Sequence, residues 1–250
     1  MTRPDSTSRE TTAYGAEQFE SNHPPGIERH YWHHARNRIS LRRLRPHLSK
    51  ADAILDIGCG PGVVVDFLRR RGFDCEGADL GSPRFTVPGV RQHLHLGQDV
   101  FELAEPTRLR TTVLLLMDVL EHLPSPEAFL EHCCASFPSV RCLYVTLPAR
   151  MEIWSNYDEY YGHLQRYTLE EMRGLRLPEK FHVRDSGYFF HSLYWAARAV
   201  RLVSRERTVA QSAPRFSIVH EAIGTILTLE EQLMPKTQRG SSLYAVALRS

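Results

Sequence analysis

Apolar and polar positions along this chain switch between a period of two and a period near 3.6, and each switch marks an element. Residues 54–57 set Ile54, Leu55 and Ile57 around Asp56, the short apolar run expected of a strand buried on both faces. Gly58, Gly60 and Gly62 interrupt it, and 63–71 resumes as a helix. Residues 73–79 read as a second strand ending in Asp79, and 92–97 as a third, through Leu94 and Leu96. The most apolar run, 111–117, predicts a central parallel strand. Ser125 and Pro126 then open a helix to 137 as N-cap and first helical residue. Residues 141–147 form the fifth strand, ended by Pro148, and 181–190 and 242–248 the last two. Thr168 and Glu171 make a capping box before a further helix.

Three stretches lie outside this alternation. Residues 1–26 are rich in Thr, Ser, Arg and Glu and predict a mobile segment closed by His23-Pro24-Pro25-Gly26. Residues 27–48 predict one helix, with arginines at 29, 36, 38, 42, 43 and 45 against an apolar side of Tyr31, Trp32, Ile39, Leu41 and Leu44. It reads either as an amphipathic helix packed on the sheet or as a lid. Residues 191–240 separate the last two strands by far more than a hairpin needs. They predict two helices: one with Leu193, Ala196, Val200 and Val203 in a stripe, the other with Val219, Ile223, Ile226 and Leu233. Such an insertion suits a cap over a substrate pocket or a homodimer contact, and peripheral membrane contact stays open.

Strand, glycine turn, helix brings backbone N–H groups and a positive helix end against a ligand. The third glycine falls one residue earlier than in a dinucleotide fingerprint, where Val63 stands here. Asp56 before the turn suits a ligand with a cationic ammonium or sulfonium and would repel a pyrophosphate. Asp79 lies about 20 residues past the turn, where a carboxylate can take both ribose hydroxyls.

The segment Asp56-Ile57-Gly58-Cys59-Gly60-Pro61-Gly62 resembles the first motif of the class I S-adenosylmethionine-dependent methyltransferases. Asp118-Val119-Leu120-Glu121-His122-Leu123-Pro124 resembles the fourth motif of their small-molecule branch. Trp154-Ser155, Asp158-Glu159, Gly162-His163 and Arg166-Tyr167 resemble its signature after the fifth strand. The resemblance covers about 27–250. It implies a doubly wound α/β sheet of seven strands, the last antiparallel, with an N-terminal lid and a C-terminal helical insertion. It implies S-adenosylmethionine as cofactor, held by Asp56, Gly58, Cys59, Gly60, Gly62 and Asp118. Leu80 would lie on the adenine and Arg36 reach the cofactor carboxylate. Asp99, followed by Val100, matches an acceptor for the adenine amino group and reads equally as a turn aspartate. The space between Asp79 and Leu94, broken by Gly81, Pro83, Pro88 and Gly89, holds little more than a turn where the family has a helix.

Composition removes other classes. Net charge is +2, with lysine only at 50, 180 and 236, so no field argues for nucleic acid. The fourth strand lacks the Asn/Asp-Pro-Pro-aromatic end that base-methylating enzymes need around a flipped base. No apolar run approaches the roughly 20 residues of a bilayer span, and the start has no signal-peptide core. The cysteines, two of them adjacent at 133–134, show neither disulfide nor zinc spacing, so a reducing cytoplasm is expected.

The expected reaction is methyl transfer to an oxygen or nitrogen of a small molecule by in-line displacement. It needs the nucleophile about 3 Å from the methyl carbon and water kept out. His122 and His163 are the candidate bases, with Tyr157 in an aromatic wall around the acceptor. Asp158 and Arg166 read alternatively as a structural ion pair. The rival reading is a catalytically silent cofactor-binding protein of the same fold. A nicotinamide-dependent oxidoreductase fits the turn spacing and Asp56 less well.

Overall fold

A computed structural model of the chain describes residues 21, 23–203 and 215–250. Of the expected mobile segment, the part at 1–20 and 22 lies outside the described residues, as does 204–214 of the insertion. The seven strands are β1 Ala53–Ile57, β2 Asp74–Asp79, β3 Leu94–Leu96, β4 Thr111–Met117, β5 Cys142–Pro148, β6 Phe181–Phe189 and β7 Ser242–Arg249. They form one sheet in the order β3-β2-β1-β4-β5-β7-β6. β1 pairs in parallel with β2 and β4, and β4 with β5. β7 runs antiparallel to both β5 and β6, as expected.

The strand sequences explain the layering. Every residue of β1 and β5 is buried, and so is all of β4 but Thr112. One face of the sheet packs Val65, Leu68, Val113, Tyr144 and Tyr244 beneath Ala35, Ile39 and Leu227. The other packs Leu114, Leu116 and Leu143 against Leu130, Phe137 and Met172. β1 and β4 are neighbours in space but not in sequence, so the connections leave them in opposite directions. In open α/β sheets that switch point is where ligands sit, outside the carboxyl ends of the strands.

Residues 27–48 are not one helix. A 3-10 turn, Ile27–Arg29, is followed by α1 Tyr31–Leu44 and a second 3-10 turn, Arg45–His47. His30 is extended and caps α1 through its ring nitrogen on the Trp32 N–H, 3.4 Å, which breaks the run. The third strand is shorter than 92–97 because Arg91–His93 takes a 3-10 turn. After the glycine turn comes α2 Val63–Arg69. α3 Glu105–Arg110 has no counterpart in the sequence reading, and α4 Pro126–Ser136 follows β4. The stretch after β5, expected as a loop, contains α5 Asn156–Tyr160. There Ser155 and Asp158 form a capping box. α6 Leu169–Gly174 starts at the predicted Thr168 box.

The insertion supplies α7 His191–Val203 and α8 Ser217–Leu233. α8 lies against α1, and the arginines of α1 account for the pairing. Arg42 and Arg43 both bond the buried Glu231, while Arg38 reaches Thr225 Oγ1 at 2.8 Å and Glu221 at 3.3 Å. Gly224 lets the two helices approach: a Cβ there would stand 2.8 Å from His34 Cβ and 3.1 Å from the Tyr31 carbonyl. No described helix is long and apolar enough to cross a membrane.

Candidate active site

β1 ends its apolar run with Asp56-Ile57, and the chain turns through Gly58, Gly60 and Gly62 at φ 72°, 54° and 86°. These left-handed values favour glycine, but the three positions differ in what a side chain would meet. A Cβ on Gly58 would strike Val119 at 2.9 Å, and one on Gly62 would strike Val90 and Leu94 at 2.9 Å. Both are packed by protein. The atoms nearest a Cβ on Gly60 belong to the His23 ring, at 3.2 Å, and Gly60 lines the cavity described below. The turn is tied to β2: Gly58 and Cys59 N–H both donate to the Ala78 carbonyl, at 2.8 and 3.2 Å. Asp79 closes it, accepting from Gly60 N–H at 2.8 Å and Gly81 N–H at 2.7 Å. Burial raises the Asp79 pKa, against the pull of those two N–H groups.

Asp56 is 2% exposed, and its Oδ1 has no hydrogen-bond partner among the described residues. Its pKa is pushed up to about 7, first by burial and then by the negative Asp79 and Asp118, with Arg36 opposing. A cation brought to this carboxylate would stabilise its charged form. Arg36 comes from α1, stacks over Trp32 at 4.4 Å and donates to Asp118 Oδ2 at 2.6 Å. Asp118, the first residue past β4, also accepts from Thr146 Oγ1 at 3.1 Å.

A second group of titratable side chains gathers beyond Asp118. Glu121 and His122 lie on a 3-10 turn, Leu120–His122, and His163 comes from the segment after α5. Glu121 is fully buried, and neither carboxylate oxygen has a hydrogen-bond partner among the described residues. Burial, reinforced by Asp118, pushes its pKa well above the carboxylate range. His122 Nδ1 lies 3.3 Å from the Gly162 carbonyl, and burial followed by His163 lowers its pKa to about 4. His163 Nδ1 stands 2.8 Å from Asp158 Oδ1, which turns Nε2 toward Glu121 Oε1 at 4.0 Å. Asp158 also accepts from Arg166 Nε at 2.8 Å. Burial works to raise the Asp158 pKa, yet His163 and Arg166 together hold it below the usual value. The ion pair and the histidine contact therefore share one carboxylate.

One cavity of about 640 Å³ joins the two groups. Its wall includes Asp56, Gly58, Cys59, Gly60, Asp79, Arg36 and Asp118 at one end and Glu121, His122, Tyr157, His163 and Arg166 at the other. Trp32 and His33 of α1 and Leu193, Ala196 and Val200 of α7 also face it. Four residues singled out in the sequence stand apart from this wall. Gly62 is packed under Val90 and Leu94. Leu80 is 46% exposed, and Val100 is buried in the core of the opposite face. The Asp99 carboxylate accepts from Phe101 N–H at 3.0 Å and caps a 3-10 turn, as a turn aspartate does. Glu121 is the site residue that the sequence reading passed over. Its signal is an acid between two apolar residues, Leu120 and Leu123, with one histidine intervening.

A doubly wound sheet with a glycine turn after β1, an acid at the end of β2 and a cleft over the switch point defines a nucleoside-type ligand site. Residues 29–200 match the family described as "Methyltransferase domain", and the chain belongs to that family. The ubiquinone biosynthesis O-methyltransferase of Acinetobacter baumannii (strain AYE) is 31% identical over 87 residues, 32% of this chain and 37% of that protein. Its namesake from Psychrobacter arcticus (strain DSM 17307 / VKM B-2377 / 273-4) is 31% identical over 88 residues, 32% and 34% of the two chains. The chain thus spans about a third of the length of the curated relatives it matches. Two solved structures share the fold over most of the chain. A plantazolicin methyltransferase, crystallised with a triazolic desmethylPZN analog and S-adenosylhomocysteine, has a TM-score of 0.52 at 12% identity, covering 93% of this chain and 88% of that one. The 1,6-didemethyltoxoflavin-N1-methyltransferase of Burkholderia thailandensis has a TM-score of 0.52 at 17% identity, covering 88% and 80%.

Proposed function

We propose that this protein transfers a methyl group from S-adenosylmethionine to a small organic acceptor. The carrying observation is the single cavity that runs from the glycine turn and Asp79 to the buried Glu121, His122 and His163. Donor and acceptor can meet inside it, with α1 and α7 forming part of its wall. Family membership and the cofactor product bound in the related fold support the same reading.

When bound, S-adenosylmethionine supplies an electrophilic methyl on a cationic sulfur. The residues present fit it. Asp56, buried with an unpartnered oxygen, suits the amino group of the methionine part. Asp79, held by two backbone N–H groups, suits the ribose hydroxyls. Gly60 offers backbone without a side chain, and Arg36 can exchange Asp118 for a ligand carboxylate. Gly58 and Cys59 complete that wall.

At the other end, His163 is the group best placed to take the acceptor's proton. Asp158 fixes its tautomer, with the proton on Nδ1, and leaves Nε2 facing the cavity. His122 and Tyr157 shape the same end. The relatives named for O-methylation favour an oxygen acceptor over the nitrogen of the toxoflavin enzyme. Incubation with S-adenosylmethionine and fractionated metabolite pools, read by mass spectrometry, should reveal a species that gains one methyl group. Binding of the cofactor with no methylated product from any pool would leave a silent binding protein instead.

A further inference from the structure

We infer that the outward face of α8 is the seam of an isologous dimer, in which α8 packs antiparallel against α8 of a second copy of this chain. This surface is separate from the methyl-transfer site, since no residue of α8 lines the cavity.

α8 is apolar on two sides. Gly224, Leu227 and Glu231 are buried on the side that meets α1. Away from them, Val219, Ala222, Ile226, Leu229 and Leu233 recur at alternating steps of three and four residues, and all five are exposed. Apolar positions repeating every 3.5 residues are the pattern of a helix-to-helix seam. Ile218 and Ile223 flank the row and are exposed too. Exposure reaches 81% at Ile218, 64% at Ile226 and 83% at Leu233. Seven apolar residues with on the order of 100 Å² open at each stand at or above the roughly 300–600 Å² of a typical monomer's largest patch. Two such faces pressed together bury on the order of 1,000 Å² in total, which is what a specific interface needs.

The row is self-complementary. With the copies antiparallel about a two-fold axis, Ile226 meets Leu229 and Ala222 meets Leu233, a small residue opposite a large one. Each contact recurs with the roles exchanged, as an isologous interface requires. The seam has no charge to bury. Glu221 reaches Arg38, Glu230 accepts from the His191 and Ser192 N–H groups, and Glu231 holds Arg42 and Arg43. α8 would then lie between α1 of its own copy and α8 of the other.

Two other covers fit this face less well. A helix lying in a lipid surface is rich in Lys and Arg on its polar side. Residues 217–233 contain neither, only three glutamates and a histidine as ionisable side chains. The stretches outside the described residues, 1–20 and 204–214, offer only scattered apolar side chains to lay along the row.

Sedimentation equilibrium of the full-length protein tests the seam. The mass at micromolar concentration should be twice the 28.7 kDa of one chain. Ile226→Glu and Leu229→Arg should each weaken association about 100-fold or more, because each buries an unpaired charge. An equimolar mixture of the two variants should recover the dimer, since the introduced carboxylate of one copy then meets the introduced guanidinium of the other. Ile226→Ala adds no charge and should weaken association at least tenfold through the lost packing. A wild-type monomer at every concentration, variants that associate as tightly as wild type, or a mixture that stays monomeric would overturn the seam. A monomer that sediments with phosphatidylcholine–phosphatidylglycerol vesicles, and loses that binding in Ile226→Glu, would give the face to lipid instead. S-adenosylmethionine should bind the same variants as it binds wild type, so the seam and the donor site fail separately.

Discussion

Replacing Asp56 by asparagine separates the cost of burying this carboxylate from its use. In the unfolded chain an aspartate titrates near 3.9, whereas Asp56 in the fold is pushed up to about 7. The groups that face it are Arg36 from α1, Asp79 at the end of β2 and Asp118 past β4, and burial outweighs them all. A raised folded pKa means that stability from this group is fully present below about pH 4 and is lost as pH rises through about 7. Three units at about 1.4 kcal/mol each set an upper bound near ~4 kcal/mol, reduced by whatever water enters the cavity. Asp56→Asn should therefore be the more stable apo protein at pH 8 and nearly equal to wild type at pH 4.5. A cationic amino group at Asp56 requires the ionised form, so the sign reverses for the ligand. Wild-type affinity for S-adenosylmethionine should rise with pH up to about 7 and then level, with a proton released on binding at pH 6. In Asp56→Asn that affinity should be weaker and flat. Thermal melts between pH 4.5 and 8, and calorimetry at pH 6 in two buffers of different ionisation enthalpy, measure both effects. Equal pH 8 stabilities would refute the burial cost, and the same proton release in wild type and variant would refute the ligand contact.

Asp79→Ala removes the acceptor of the Gly60 and Gly81 N–H groups as well as the proposed ribose partner. Calorimetry should show cofactor binding weakened by about 1.5–3 kcal/mol, tenfold to more than a hundredfold, and unchanged affinity in the folded variant would sink the assignment. His163→Ala should cut turnover about 10²–10⁴-fold while leaving cofactor affinity nearly intact. Lost cofactor binding there would move His163 to the donor end. Gly224→Ala puts a methyl 2.8 Å from His34 Cβ and should cost roughly 1–3 kcal/mol by forcing α8 off α1. An unchanged melting temperature would mean that the two helices are not tightly apposed.

What the sequence made legible was local. The apolar run of β1, the three glycines and the acid about 20 residues on are linked by one helix and one return strand, so their spacing alone implies their meeting. β4 was legible for a different reason: 113–117 is an unbroken apolar run, as expected of a strand in the middle of a parallel sheet. The short α3 was missed because six residues make fewer than two helical turns, too few to show an apolar repeat. α5 could have been found, since Ser155 and Asp158 already have the spacing of a capping box, but aromatic crowding drew the reading toward a loop. The solitude of Glu121 could not be read. It depends on what segments some forty residues downstream and ninety upstream place around it, and an unpaired acid has no sequence signature. The arginines of α1 posed a similar problem: their number suggested a solvated face, whereas the partner for three of them was α8, some 190 positions away.

The backbone around the cavity supports placing function on this rim rather than elsewhere on the sheet. Among the described residues, four that are not glycine have positive φ: Asp118 at 61°, Arg150 at 73°, Lys180 at 72° and Phe190 at 61°. Three of them follow the carboxyl ends of β4, β5 and β6, strands whose ends share one edge of the fold. Left-handed backbone costs of order 1–3 kcal/mol at a non-glycine residue and persists only where the surroundings over-determine it. Each of the three is held by specific bonds. Asp118 N–H donates to the Thr146 carbonyl at 3.1 Å while its carboxylate takes Arg36 and Thr146. Arg150 N–H donates to Tyr167, and the Phe190 carbonyl accepts from Tyr194 and Ser241. Asparagine or glycine would relieve the strain at Asp118 more cheaply than three hydrogen bonds do. The aspartate instead keeps a charge at the cavity wall, where it pairs with Arg36 at 2.6 Å.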